Sequence, residues 1–229
     1  MIESLTSLLP NLLSSARSSQ SLPPFRNGIP VRHRALAASD LTVTGREHVP
    51  DGGCVLAANH WSNFDPWPLG IPLFPRRFLR FMAKKELFWP PLGWVIRAGG
   101  GFPVDRGVGD VHAMSTATEL CRAGHAVVMF PEGTRRAKGA RKRHAPRWHT
   151  GAARIALDAE VPLVPAAIAG TDRLSKLGPL RVAYGLPIET GDLAEHDRGE
   201  ASRIATERLR EAIGSLERAV GSTAVGAPV

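Results

Sequence analysis

Short apolar runs alternate with helical patterns along the middle of this chain. Three of the runs, 54–58, 126–130 and 163–169, are too short for independent helices and too uniformly apolar for half-exposed strands. Strands that are buried on both faces have this composition. Because strands alternate with helices in α/β domains, the pattern predicts a mixed, largely buried central sheet flanked by helices, in a single α/β domain.

Helical periodicity fills the intervals between and after these runs. One helix is expected from a cap at Asp110 to a stop at Gly124, and a second covers 150–159. A third helix, near the end of the chain, has an apolar stripe formed by Ile204, Leu209, Ile213, Leu216 and Val220.

The two ends of the chain differ in composition from the middle. Residues 1–28 are rich in serine and contain a Ser-Leu-Pro-Pro stretch, which predicts a flexible or weakly amphipathic segment. Residues 221–229 are small and uncharged, and a disordered tail is expected there. The folded domain is therefore expected at 29–220.

No run approaches the roughly 20 consecutive apolar residues that a membrane-spanning helix needs. Any membrane contact is therefore expected to be peripheral. The short leucine-bearing segment near the N-terminus is interrupted by Pro10 and follows no basic residue, so a secretory signal is not indicated. The expected location is cytoplasmic, at the inner face of the cell membrane.

The charge of the chain favours an anionic partner. Twenty-nine Lys and Arg face 21 Asp and Glu, which gives a formal net charge of +8. Nucleic acid, acidic lipid and phosphorylated small molecules all fit this excess, and charge does not choose among them. Cys54 and Cys121 each lie in an apolar stretch and are expected to be buried free thiols. No His, Cys or carboxylate group has metal-ligand spacing, so no metal is expected.

Polar, reactive residues follow two of the predicted strands directly. Asn59 and His60 follow the first strand, and the segment 131–135 follows the second. Ligands of open α/β sheets usually lie outside the carboxyl ends of strands. Both segments are therefore expected at one crevice.

His60 and Asp65 form the first chemical candidate. On a continuous helix, four intervening residues would turn the two side chains about 140° apart. A strand end at His60 followed by a turn, with Asp65 as N-cap and Pro66 as the first helical residue, returns the carboxylate to the imidazole. Asp65 would then hold one ring nitrogen as a donor and leave the other to accept a proton from an attacking hydroxyl. No Gly-x-Ser-x-Gly elbow is present and neither cysteine has an obvious partner, so direct attack by a substrate hydroxyl is simpler than a covalent intermediate on the protein.

Two further segments suit a phosphate. A glycine run from Gly99 is followed by Asp105-Arg106, where backbone amides and a guanidinium can approach an anion closely. The second segment, Phe130–Arg136, places a carboxylate, a hydroxyl and two guanidiniums just beyond a buried strand. Glu132 is unusual at such a strand end unless it is paired or binds something.

Together these segments resemble the 1-acylglycerol-3-phosphate acyltransferases, or lysophosphatidic acid acyltransferases, and their relatives. Four signatures of that family occur in order between about residues 40 and 190: Asn-His-x-x-x-x-Asp at 59–65, a glycine-rich stretch ending in Asp-Arg at 99–106, Phe-Pro-Glu-Gly-Thr-Arg at 130–135, and Val-Pro-x-x-Pro at 161–165. The chain departs from the family's pattern with Phe-Pro-Val-Asp-Arg in the second signature and with His149, where a lysine is common. These departures bear on the identity of the acceptor.

The resemblance implies a role for each matching residue. His60 is expected to be the general base and Asp65 its partner. The residues implied to line the glycerol-phosphate site of the acceptor are Asn59, Lys84, Arg106, Glu132, Gly133, Thr134 and Arg135.

The implied reaction moves a fatty acyl group from acyl-CoA or acyl carrier protein to the sn-2 hydroxyl of 1-acylglycerol 3-phosphate and gives phosphatidic acid. No cofactor is expected beyond the thioester co-substrate. The sequence leaves open whether the acceptor is instead glycerol 3-phosphate, a lysophospholipid or another lipid. It also leaves open which of the two donors is used. A non-catalytic lipid-binding protein is disfavoured, because it could dispense with either His60 or Asp65 and both are present. A nucleic-acid-binding domain would leave the Asn-His and Phe-Pro-Glu-Gly-Thr-Arg segments without a purpose, so no nucleic-acid partner is expected.

Aromatic and basic residues are concentrated in two stretches. Most of the aromatic residues lie between Trp61 and Trp94, interleaved with arginines and lysines, which suits the interface of an anionic bilayer. From Arg135 to Arg147 there are seven Lys or Arg and no acid. This second stretch is either a solvated loop or a contact for coenzyme A phosphates, an acidic carrier protein or lipid headgroups. Charge reversal at 141–143 is expected to weaken vesicle or donor binding.

Overall fold

A central β-sheet organises the part of the chain that the computed structural model describes, residues 41–104, 111–133, 135–136, 148–176 and 178–222. Its seven strands lie in the order β1-β7-β6-β2-β5-β3-β4. Their bounds are β1 Leu41–Thr44, β2 Cys54–Ala58, β3 Leu79–Lys84, β4 Gly101–Val104, β5 Ala126–Met129, β6 Leu163–Ala169 and β7 Leu180–Tyr184. All neighbouring strands are parallel except β6 and β7. The predicted mixed α/β fold is therefore confirmed.

Helices connect the parallel strands. Their bounds are α1 Pro66–Gly70, α2 Leu92–Ala98, α3 Val111–Arg122, α4 Gly151–Ala159 and α5 Arg198–Ser222, with 3₁₀ turns at Arg46–His48, Ile71–Leu73, Lys85–Leu87, Thr171–Lys176 and Gly191–Leu193. The helix predicted before Gly124 is α3, and its proposed cap, Asp110, lies outside the described residues. The helix predicted at 150–159 is α4, with Thr150 at its N-cap.

Both faces of the sheet are covered, which explains why its central strands are apolar throughout. In β2, Val55 and Ala57 belong to a core shared with the helices α3, α4 and α5. The alternate residues Cys54 and Leu56 belong to a second core on the other face, with Leu69 of α1. Successive side chains of a strand point to opposite faces, so a strand between two cores carries no polar position.

The carboxyl ends of five strands meet at one edge of the sheet. Strands β2, β3, β4, β5 and β6 are linked by parallel pairing, whereas β7 runs antiparallel to β6 and β1 follows the direction of β7. The chain that follows β2 and the chain that follows β5 therefore emerge side by side, as the sequence predicts.

Candidate active site

His60 and Asp65 form a hydrogen-bonded pair beyond the carboxyl end of β2. The Nδ1 atom of His60 lies 2.8 Å from Oδ2 of Asp65. Strand β2 ends at Ala58, and α1 begins at Pro66 with Asp65 at its N-cap. The turn between them returns the carboxylate to the imidazole, which confirms the geometry predicted from the sequence.

The side chain of Asp65 accepts hydrogen bonds from the imidazole and from the turn, and it does not cap its own helix. Its Oδ2 also accepts hydrogen bonds from the backbone N–H groups of Trp61 at 2.7 Å and Ser62 at 2.9 Å. The side chain is completely buried. Because a carboxylate only accepts hydrogen bonds, Nδ1 of His60 is the donor in this contact, and in the neutral imidazole Nε2 is then the acceptor.

The ring of His60 stacks on Phe130, the first residue of the Phe-Pro-Glu-Gly-Thr-Arg segment. The two ring centroids are 4.1 Å apart and the planes differ by 18°. The His60 side chain keeps 16% of its surface exposed. The stacking fixes the ring plane from one side while Asp65 fixes its rotation. The imidazole is thus held in one orientation and remains accessible to a ligand.

Arg136 connects the segment that contains His60 to the segment that contains Glu132. Its backbone N–H donates to the carbonyl oxygen of His60 at 2.8 Å. Its guanidinium binds the carboxylates of Glu132 and Glu217 and lies over the ring of Trp61, 5.1 Å from the centroid. Burial acts to lower the pKa of Arg136, but the hydrogen bonds and charges of the two glutamates outweigh it and raise the pKa. The guanidinium therefore stays charged at any working pH.

Asn59 joins β2 to β6 and to α5. Its amide donates to the carbonyl oxygen of Ile168 and accepts from the N–H of the same residue, at 3.0 and 2.8 Å. It also donates to Oε1 of Glu217 at 2.7 Å. Asn59 and Glu132 are almost wholly buried. Their burial favours support of the strand ends over direct contact with an acceptor.

Gly133 sits where other residues fit poorly. Its φ is +66°, in the left-handed region, and a Cβ at this position would lie 2.8 Å from the ring of His149. His149 is held there because its N–H donates to the carbonyl oxygen of Pro131 at 2.8 Å. His149, which stands where a lysine is common in the resembled family, thus packs directly against the third signature.

The remaining predicted ligands divide into two groups. Lys84 is the exposed last residue of β3, and Arg135 is also exposed. Lys84 ends β3 and Arg135 follows β5, and both strands end at the His60 edge of the sheet. Arg106 and Thr134 lie outside the described residues, as do the residues 1–28, the basic residues 141–143 and the tail from 223.

The two cysteines are buried and free, as predicted. Burial raises the pKa of the Cys54 thiol, and burial raises that of Cys121 to about 12. The thiol of Cys121 donates to the carbonyl oxygen of Cys54. Neither sulfur is a thiolate at neutral pH, so neither is a ready nucleophile.

Sequence reasoning assigned no site role to Arg136 and missed Glu217. Arg136 stands one residue beyond the third signature, within the basic stretch, and the sequence indicates only that its guanidinium lies just beyond the strand. Glu217 lies in the last helix, where acids and bases alternate as they do on a solvated face. The one available signal was the expectation that Glu132 must be paired.

Comparisons with known proteins agree with this fold and site. The family model described as Acyltransferase matches residues 40–169. The chain is 33% identical over 182 residues to the 1-acyl-sn-glycerol-3-phosphate acyltransferase of Bacillus subtilis, covering 76% of this chain and 87% of that protein. It is also 33% identical over 169 residues to the protein of the same name from Streptococcus pneumoniae, covering 70% and 61%.

A solved structure shares the fold. It is the 1-acyl-sn-glycerophosphate (LPA) acyltransferase PlsC from Thermotoga maritima, with a TM-score of 0.57 and 27% identity over 78% of this chain and 72% of that one. This chain therefore belongs to the acyltransferase family. The resemblance predicted from the four signatures is confirmed.

Within the described ranges, the helices are all too short or too polar to cross a membrane.

Proposed function

We propose that this acyltransferase moves a fatty acyl group from a thioester to the sn-2 hydroxyl of 1-acylglycerol 3-phosphate and so produces phosphatidic acid. The observation that carries the proposal is the braced imidazole of His60, whose Nδ1 lies 2.8 Å from a buried carboxylate and whose side chain is partly exposed. The names of the Bacillus subtilis and Streptococcus pneumoniae relatives support the choice of acceptor.

His60 acts as the general base in this proposal. Nε2 accepts the proton of the acceptor's hydroxyl while the hydroxyl oxygen attacks the thioester carbonyl. The tetrahedral intermediate then collapses, the carbon–sulfur bond breaks, and the leaving thiolate takes up the proton from the imidazolium. Asp65 stabilises the imidazolium and holds the tautomer in which Nε2 is the acceptor.

Direct transfer is favoured over a covalent acyl-enzyme. The sequence has no serine elbow, and the buried thiols of Cys54 and Cys121 have raised pKa values. As proposed, the reaction uses no cofactor beyond the thioester co-substrate, which is acyl-CoA or acyl carrier protein.

The phosphate of the acceptor is assigned to cations at the same sheet edge. Lys84 and Arg135 are exposed there, and the resemblance adds Arg106, Gly133 and Thr134. Guanidinium groups bind phosphate with paired hydrogen bonds, whereas an ammonium acts as a point charge. Asn59 and Glu132, which are buried, support these phosphate-binding residues from the interior of the domain. Because the acceptor is a membrane lipid, we place the protein on the cytoplasmic face of the membrane, with anionic lipid as its surface partner.

An acceptor panel with the purified enzyme tests the proposal. Release of free thiol from acyl-CoA and from acyl carrier protein thioester is measured with 1-acylglycerol 3-phosphate, glycerol 3-phosphate, and a lysophospholipid whose phosphate carries a headgroup. The proposal predicts that 1-acylglycerol 3-phosphate gives the highest kcat/KM with at least one donor. A higher value for either other acceptor would assign the enzyme to a related reaction of the family. Binding of the lipid without thiol release from either donor would indicate a lipid-binding protein.

A further inference from the structure

Exposed tryptophans mark a surface beside the proposed active site. Trp89 and Trp94 expose 57% and 69% of their surface, and Leu87 is also exposed. All three lie in the connection between β3 and β4, and we call them the tryptophan surface. Exposed indole rings are uncommon on a protein surface that faces water unless that surface binds something apolar.

The backbone that carries these side chains is ordered by its own hydrogen bonds. The N–H of Gly93 donates to the carbonyl oxygen of Trp89 at 2.7 Å, and the N–H of Trp94 donates to that of Pro91 at 3.2 Å. A Cβ on Gly93 would lie 2.4 Å from the carbonyl oxygen of Phe88. Glycine thus lets the first turn of α2 close tightly on the preceding segment. A backbone that is already ordered loses little conformational entropy on binding.

Cations flank the tryptophan surface on both sides. Lys84 and Lys85 are exposed just before it, with Glu86 as the one acid between Lys84 and Arg97. Arg97 follows Trp94 by three residues and so lies on the same side of α2. Its guanidinium lies 4.9 Å from the centroid of the Phe88 ring. Indoles among cations match the headgroup region of an anionic bilayer, where rings enter the interface and charges meet phosphates.

The position of the surface in the fold connects it to His60. The 3₁₀ turn Lys85–Leu87 directly follows the carboxyl end of β3, at the sheet edge where β2 also ends. Phe64, next to Asp65, is half exposed at the same edge. The segment that carries the tryptophans therefore begins at the same edge of the sheet as His60.

We propose that Leu87, Trp89 and Trp94 are the surface by which this protein docks on an anionic bilayer, with Lys85 and Arg97 contacting headgroups. The inference rests on the proposed function, because it supplies the membrane-borne acceptor to His60. Docking by this surface would present the acceptor's glycerol-phosphate to the active site without extracting the lipid fully into water.

Tryptophan fluorescence with brominated lipid tests the surface directly. Vesicles of phosphatidylglycerol with brominated chains are expected to quench the tryptophan emission of the wild type. The variant W89F/W94F is expected to bind these vesicles as tightly as the wild type does and to lose most of the quenching. The double variant W89S/W94S is expected to bind about tenfold more weakly or worse. L186S is the matched control, because Leu186 is equally exposed but follows β7 at the opposite edge of the sheet. K85E/R97E is expected to weaken binding to phosphatidylglycerol and not to phosphatidylcholine.

Other outcomes overturn the inference. If W89S/W94S binds the vesicles as tightly as L186S does, this surface is not the docking site. If that variant keeps vesicle binding and loses rate only with acyl carrier protein thioester, the surface docks the carrier protein instead. Activity on acceptor in detergent micelles separates the two proposals. W89S/W94S is expected to retain wild-type kcat there, whereas absence of turnover in the wild type itself would contradict the proposed function and not the docking surface.

Discussion

The backbone N–H of Arg136 donates to the carbonyl oxygen of His60 at 2.8 Å. The residue after the Phe-Pro-Glu-Gly-Thr-Arg segment is thus attached to the main chain of the proposed base. Its guanidinium is held in turn by Glu217 of α5 and by Glu132. Helix α5 therefore helps to set the position of the imidazole, although the proposed reaction uses no group from this helix.

Removal of the Glu217 charge is expected to loosen this arrangement. In Glu217→Gln, Arg136 loses one of two carboxylates, and one partner of Asn59 becomes neutral. We expect the free energy of unfolding to fall by about 1–3 kcal/mol and kcat to fall about tenfold with little change in KM, because small displacements of a base reduce the rate. Urea denaturation and steady-state kinetics measure both effects.

Glu207→Gln is the matched control for this substitution. Glu207 lies on the same helix, is half exposed and pairs with Arg210. Exposed pairs of this kind contribute little to stability, so both quantities should stay close to the wild-type values. Equal kinetics for the two variants would show that Glu217 does not position His60.

Replacement of Asp65 by Asn is expected to keep the turn and to remove the negative charge that stabilises the imidazolium. In the structure Oδ2 accepts from Nδ1 of His60 and from the N–H groups of Trp61 and Ser62, and an amide oxygen in its place still accepts all three hydrogen bonds but carries no charge. We expect kcat to fall about a hundredfold or more, with unchanged circular dichroism. Asp51→Asn controls for loss of a negative charge, since Asp51 is highly exposed and pairs with Arg76. A normal kcat in Asp65→Asn would show that the charge of Asp65 does not assist the reaction.

The His60–Asp65 geometry was predictable because its signals are local. Asp65-Pro66 is a helix start, and β2 is an uninterrupted apolar run that ends just before Asn59. The contacts of Glu217 were not predictable from the sequence. Asn59 and Glu217 are 158 positions apart, and nothing in the pattern of α5 distinguishes this carboxylate from those that face water.

The same distinction applies to the strands. The bounds of β2 and β6 match the predicted runs, and β5 ends one residue earlier, because strands between two cores are apolar throughout. Strands β1, β3, β4 and β7 were not predicted. Arg80 and Lys84 interrupt the apolar pattern of β3, and Pro103 argues against a strand at β4. Proline is accommodated there because β4 is the last strand of the sheet.

Gly133→Ala is expected to damage the site for two separable reasons. The left-handed φ of +66° costs an alanine about 1–2 kcal/mol, and the new methyl group meets the His149 ring. The double variant Gly133→Ala/His149→Ala removes the steric clash and keeps the backbone strain. We expect it to recover part of the stability that the single variant loses, as measured by thermal unfolding. Additive losses in the two single variants would show that the ring moves aside freely.

Alkaline pH is expected to destabilise the protein through its buried thiols. The pKa of Cys121 is about 12 in the folded chain, against an ordinary value of 9.0. Above pH 9 the unfolded chain releases this proton and the folded chain does not, so stability is unaffected below pH 9 and declines up to pH 12. The slope for one thiol is about 1 kcal/mol per pH unit. Cys121→Ala should show a shallower decline in denaturation curves, and an identical slope would contradict the raised pKa.

The turnover of His60→Ala tests most directly whether the braced imidazole is the base. With 1-acylglycerol 3-phosphate and the preferred donor, kcat is expected to fall by about a thousandfold, while circular dichroism and the Kd for the acceptor stay close to the wild-type values. A folded His60→Ala variant that retains more than one-tenth of the wild-type kcat would contradict the role of His60 as general base.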